Sequence, residues 1–116
     1  MSEGVVARFA KERERLNEIV MKYAGTSIKR FYALDERVYE DGALPRKTKE
    51  LLGLVASLVL RCDDCIKYHT VGCHETDVGN EELEEALSVA LVVGGSITIP
   101  HLRRCLEAWD ELKDDA

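Results

Sequence analysis

Three of the chain's four cysteines and two of its three histidines fall in the stretch Arg61-Cys62-Asp63-Asp64-Cys65-Ile66-Lys67-Tyr68-His69-Thr70-Val71-Gly72-Cys73-His74. If this stretch is helical, Cys62, Cys65, His69 and Cys73 fall at i, i+3, i+7 and i+11, a single stripe along the helix. A Cys-x-x-Cys pair that opens a helix has a definite chemical use. The first-turn N–H groups and the positive end of the helix dipole stabilise a thiolate, which is the nucleophilic form of cysteine. The second cysteine, one turn away, can then close a disulfide on the first, so the pair can cycle between dithiol and disulfide. His69, one turn beyond Cys65, is a proton donor or acceptor near neutral pH.

Other uses of these residues compete with that one. Cysteine is often a small buried apolar residue. Cys62, Cys65 and His69 also make three candidate zinc ligands. A single straight helix cannot wrap four ligands around one ion, however, and no second Cys-x-x-Cys and no His-x-x-x-His occurs. A structural disulfide of a secreted protein would fit a framework of paired cysteines, which Cys73 and Cys105 do not evidently form. No signal peptide is read at the start, so the cytoplasm, with reduced and catalytic thiols, is the expected compartment.

The elements that must position these groups are read from hydrophobic spacing. With 116 residues, 46% apolar, 33% charged and two prolines, the chain is expected to be one all-α domain over residues 1–116. Val5, Val6, Phe9, Leu16, Ile19, Val20 and Tyr23 recur at helical spacing and predict a first helix over about residues 4–23. The charge run Lys11-Glu12-Arg13-Glu14-Arg15 reads as its solvated face. After Gly25-Thr26-Ser27, a second helix carries Ile28, Phe31, Tyr32, Leu34, Val38 and Tyr39, with a left-handed cap expected at Gly42. Its aromatic residues read as core or subunit contacts. Pro45 is expected at the first position of a third helix that is apolar almost all round from 51 to 60, and so buried on every side, either as the central helix of the domain or by packing against another subunit.

The thiol helix follows across a turn at Arg61. In a tight hairpin Glu50 lies about 16 Å below that turn and His69 about 10 Å, close enough for the two side chains to meet. On spacing alone, Glu50 serves equally well as a first-turn acid stabilised by the helix dipole. A fifth helix over residues 81–93 starts with acids and stops at Gly94-Gly95. A sixth follows Pro100 with Leu102, Cys105, Leu106, Trp109 and Leu112. Cys105 reads as an apolar core residue and His101 as a surface histidine.

Several classes of function are disfavoured. A net charge of -6 without a dense basic patch argues against a nucleic-acid partner. No apolar run approaches the roughly 20 residues that a bilayer requires, so no membrane association is expected. The chain has no Gly-rich phosphate loop and no Gly-x-Ser-x-Gly elbow, and neither a cofactor nor a bound metal is expected.

The run Glu50, eleven residues, Cys62-x-x-Cys65-x-x-x-His69, then Gly79, Glu81-Glu82-Leu83 and Gly94-Gly95 resembles the alkylhydroperoxidase D-like branch of the carboxymuconolactone decarboxylase family. The resemblance spans about residues 44–109 and implies a bundle of about six helices assembled as a homo-oligomer, a hexamer built as a trimer of dimers. It implies a thiol peroxidase or disulfide oxidoreductase acting on a hydroperoxide or a partner disulfide, with a peroxiredoxin or dithiol as electron donor. In that reading Cys65 is the attacking thiol, Cys62 its disulfide partner, and Glu50 and His69 the proton relay. The best-studied members carry a histidine where this chain has Asp64, which removes one relay group and sets a carboxylate beside the thiols. The resemblance therefore implies weaker peroxidase activity or another disulfide substrate. Lactone decarboxylases of the other branch share the fold but generally lack the cysteine pair. A non-catalytic helical oligomer, with the cysteines and histidine as metal ligands or core, is the remaining alternative.

Overall fold

A computed structural model describes residues 4–114 as six α-helices joined by short connections, with no strand among the described residues. The helices are α1 (Val5–Tyr23), α2 (Thr26–Val38), α3 (Arg46–Leu60), α4 (Asp63–Glu75), α5 (Asn80–Gly94) and α6 (Ile99–Asp114), and a 3-10 turn, Ser96–Thr98, links the last two. The all-α bundle expected from hydrophobic spacing is the fold. Among the described residues no helix is long and apolar enough to cross a membrane.

The centre of the molecule is the hairpin of α3 and α4. Arg61 takes the left-handed conformation, φ 59 and ψ 42. Its N–H donates to the Leu58 carbonyl, and the Cys62 N–H donates to that of Ser57. These bonds satisfy the last carbonyls of α3 and reverse the chain within two residues. Helix α5 packs on α3, and α6 packs on α4. Leu54, Leu58, Ile66, Leu83, Leu87 and Trp109 form the core, with Cys73 and Cys105 fully buried among them. Each such large side chain contributes about 1.5–3 kcal/mol through removal from water.

Charged side chains from one helix complete the ends of another. Both carboxylate oxygens of Glu111 on α6 accept from the first turn of α1, from the Val5 N–H at 2.9 Å and the Val6 N–H at 3.2 Å. Glu82 accepts from the Gly79 N–H at 2.8 Å at the start of α5 and pairs with Lys47 at 3.0 Å. Trp109 donates its indole N–H to Asn80 at 2.8 Å.

Two local expectations are corrected. Pro45 is the N-cap of α3 and not its first helical residue. Gly42 is not left-handed; Arg61, Asp77 and Gly95 are the described residues with positive φ, because α2 already ends at Val38 and a few irregular residues lead to Pro45. Of the two ways expected to cover α3, packing within the chain accounts for part of its surface. Leu54 and Leu58 are buried, while Leu52 and Leu60 on its other side are 55% and 76% exposed. Helices α1 and α2 contain no buried residue, so the apolar stripe of α2 lies open at Phe31 and Leu34.

Leu54 is fully buried at the heart of this arrangement, and Leu54→Ala should lower the unfolding free energy by about 2–5 kcal/mol. Urea denaturation followed by circular dichroism measures this, and a loss below about 1 kcal/mol would mean that α3 is not the core helix.

Candidate active site

Cys62 is the N-cap of α4, and Cys65 is the third residue of the helix. The two are joined as a disulfide with Cα atoms 5.3 Å apart. The Cys62 sulfur also accepts the Cys65 backbone N–H at 3.2 Å. The cap position turns the first N–H groups of α4 toward this sulfur, so a thiolate formed there on reduction gains both a hydrogen bond and the helix dipole. Cys65 is exposed and Cys62 only partly so, and Cys65 stands about one helical turn before His69.

Behind the pair lies a buried polar contact. Glu50, 2% exposed on α3, accepts at 2.9 Å from Nδ1 of His69, 8% exposed on α4. The meeting anticipated from helix lengths is therefore present. On the other edge of the imidazole, the Tyr39 hydroxyl lies 3.3 Å from Nε2. Burial first, and then the negative charges of Asp35 and Glu50, hold the Tyr39 phenol above its ordinary pKa. A protonated hydroxyl can donate to Nε2, while the Glu50 carboxylate accepts from Nδ1. Arg46, one turn before Glu50, reaches its second oxygen at 3.4 Å and spans to Glu75 at 3.3 Å. Among the described residues no buried side-chain oxygen or nitrogen lacks a hydrogen-bond partner.

Two glycines make room for this contact. A Cβ at Gly53 would stand 2.7 Å from Cε1 of His69, and one at Gly72 would overlap the Glu50 carboxyl group. A glycine inside a helix costs about 1 kcal/mol relative to alanine, so each marks a close approach.

Cys65 and His69 both line a cleft of about 730 Å³ that α1, α2 and α4 enclose. Its walls include Phe9, Leu16, Phe31 and Tyr32, while Asp64 and Arg13 bring charge to it. Tyr68 stands edge-on to the His69 ring, with centroids 5.3 Å apart, and the Arg13 guanidinium lies 4.4 Å from the centre of the Tyr68 ring. Arg13 therefore belongs to the cleft and not simply to the solvated charge run of α1.

The remaining candidates separate from the site. Cys73 shares the stripe of Cys65 and His69 but points into the core. Burial, with the charge of Glu50 adding to it, pushes its thiol up to about 12, so it stays protonated and unreactive. Cys105 is raised by burial too, and its sulfur is 3.4 Å from the Thr70 hydroxyl. His101 is not a free surface histidine: it is largely buried and pairs with Asp63 through Nδ1 at 2.8 Å. The sequence reading missed the roles of Tyr39, Arg46, Gly53 and Gly72 around this pair. The i,i+4 spacing of Arg46 and Glu50 and the glycines within helices were usable signals for three of them, whereas Tyr39 had none.

The comparisons with known proteins agree with this architecture. Residues 27–108 match the carboxymuconolactone decarboxylase family. Two crystal structures of a Thermotoga maritima protein align with TM-scores of 0.90 and 0.86, at 54% and 56% identity, over 92% of this chain and 94% and 91% of theirs. A Legionella pneumophila protein of the same family aligns with a TM-score of 0.84 at 27% identity, over 92% of this chain and 96% of that one. The uncharacterized protein 4 of the cox locus of Paracoccus denitrificans is 34% identical over 90 residues, 77% of this chain and 81% of that protein. With its six-helix fold and a Glu50, Cys62-x-x-Cys65, His69 pattern in keeping with the alkylhydroperoxidase D-like branch, the chain belongs to the carboxymuconolactone decarboxylase family.

Proposed function

We propose that this protein is a thiol oxidoreductase that reduces hydroperoxides, or the disulfide of a partner, at Cys62 and Cys65, with Glu50 and His69 as the proton relay. The observation that carries this reading is the shared cleft: an accessible Cys65 and an imidazole backed at 2.9 Å by a buried carboxylate open onto the same space. The suggested role of the Thermotoga maritima relative in an antioxidative response points the same way. The apolar walls of the cleft suit an organic hydroperoxide better than a small polar one.

In the proposed cycle the Tyr39 hydroxyl moves off Nε2, His69 takes the Cys65 proton there, and Glu50 offsets the positive charge that the ring gains. The thiolate attacks one peroxide oxygen, so that an S–O bond forms and the O–O bond breaks. The leaving alkoxide takes the proton back from His69 and departs as an alcohol. Cys65 is then a sulfenic acid. The Cys62 sulfur attacks it, the S–S bond forms, and the hydroxide leaves as water with the Cys62 proton. Two electrons have passed from the dithiol to the peroxide. A peroxiredoxin or small dithiol partner would return two electrons and two protons to the disulfide. Asp64, at the cleft where the best-studied relatives place a histidine, supplies a carboxylate and no second imidazole.

A lactone decarboxylase would have no use for the thiol pair. We also infer a homo-oligomer in the cytoplasm, a hexamer in line with the family resemblance. Phe31, Leu52, Leu60, Val92 and Val93 are each more than half exposed, which is more apolar surface than a small soluble monomer usually leaves open.

Three outcomes are expected. After reduction, iodoacetamide should label Cys62 and Cys65 but leave the buried Cys73 and Cys105 unmodified in the native protein; mild oxidation should protect the first two as a linked pair by mass spectrometry. If both stay open to alkylation while peroxide turnover persists, the cycle is wrong. His69→Gln and Glu50→Gln should each slow turnover by about a hundredfold or more, and the double variant should lose little beyond the worse single, because the two act as a unit. Additive losses in folded variants would separate them. Sedimentation at micromolar concentration should show an assembly, and a monomer there would refute the proposed oligomer.

A further inference from the structure

The proposed cycle makes no use of Asp63, which stands between the two cysteines in sequence and opens α4. Its carboxylate accepts from Nδ1 of His101 at 2.8 Å and from Nη1 of Arg104 at 2.8 Å, both on α6. Lys67, one turn along α4, adds a further positive charge, and Asp64 is the like charge next to it. Burial works to raise the Asp63 pKa, but the hydrogen bond and charge of His101 and the charges of Arg104 and Lys67 outweigh it, so the group is held below the ordinary aspartate value and stays ionised.

An ionised carboxylate one residue from Cys62 and two from Cys65 opposes thiolate formation. It repels the second negative charge and competes for the same helix N-terminus. We infer that His101 and Arg104 are positioning residues of the thiol pair: they hold the Asp63 carboxylate against α6, so that its charge is matched there and is kept from destabilising a thiolate at Cys62 or Cys65. This rests on the thiol reading above.

The clamp has a second consequence. The two contacts tie the first residue of α4 to α6 independently of the Cys62–Cys65 bond. When the disulfide opens, the start of α4 remains seated, and Cys62 stays at the N-cap, where the helix N–H groups reach its sulfur. The reduced pair is thereby kept within closing distance, and reoxidation needs no search by a frayed helix end.

The test uses the full-length protein, without peroxide or an electron donor. The thiol titration of the reduced form is followed by ultraviolet thiolate absorbance, and the potential of the pair is measured by equilibration with glutathione. Arg104→Gln and, separately, His101→Gln should raise the titration midpoint of the more acidic thiol by about half a unit to one unit and make the potential more negative, because the reduced form loses stability. Arg104→Lys should restore most of the wild-type behaviour. In an Asp63→Asn background, Arg104→Gln should have little further effect, since no carboxylate remains to be held. An unmoved midpoint and potential in both folded single variants, or an equal shift with and without Asp63, would overturn the inference. A reversible wild-type disulfide with such unmoved values defeats the clamp alone, whereas a pair that never forms a reversible disulfide defeats the thiol reading with it.

Discussion

The structure depends on one buried contact, that of the Glu50 carboxylate with the His69 imidazole across the α3–α4 hairpin. A carboxylate at 2% exposure is tolerated only when its lone pairs are satisfied, because an unpaired buried charge costs several kcal/mol. Much of the local sequence serves that requirement. Gly72 leaves space for the carboxyl group and Gly53 for the imidazole, so the two helices can approach at this level. Arg46 covers the second carboxylate oxygen from the solvent side, and Tyr39 closes the far edge of the ring. A pair that served stability alone would be replaced by apolar side chains at little cost. A buried acid and base near an exposed cysteine are what the proposed relay requires.

The turn at Arg61 sets the relation between this pair and the thiols. Because the reversal takes two residues, Cys62 is delivered straight into the N-cap of α4, and Cys65 falls one turn before His69 on the same face. A longer connection would let α4 slide relative to α3 and separate the imidazole from Glu50. Helix α6 then fixes α4 from the other direction through Asp63, and its far end caps α1 through Glu111. The polar side chains of α6 thus tie two helix starts to one frame, while its apolar face, with Cys105 and Trp109, completes the core.

Helices α1 and α2 relate to the rest differently. They wall the cleft, and α2 leads into Tyr39, yet neither buries a residue within the chain. The apolar stripe of α2 contributes Phe31 and Tyr32 to the cleft and leaves Ile28, Leu34 and Val38 exposed.

Much of this was legible in the residues themselves. Helical spacing and cap residues located six helices, since period and cap chemistry are local properties of the chain. The thiol pair and His69 were visible as a stripe for the same reason, and Glu50 was reached by counting rise per residue on either side of a short turn. The burial of α1 and α2 was not legible: an amphipathic pattern states that a face is apolar but not what covers it. Nor could the pattern tell that Cys73, on the same stripe as Cys65, is sealed in the core, or that His101 and Arg104 converge on Asp63 from about forty residues away, or that Tyr39 meets His69. Those contacts arise from the angles at which helices pack, which are set by many side chains at once and have no signature at any one position in the sequence.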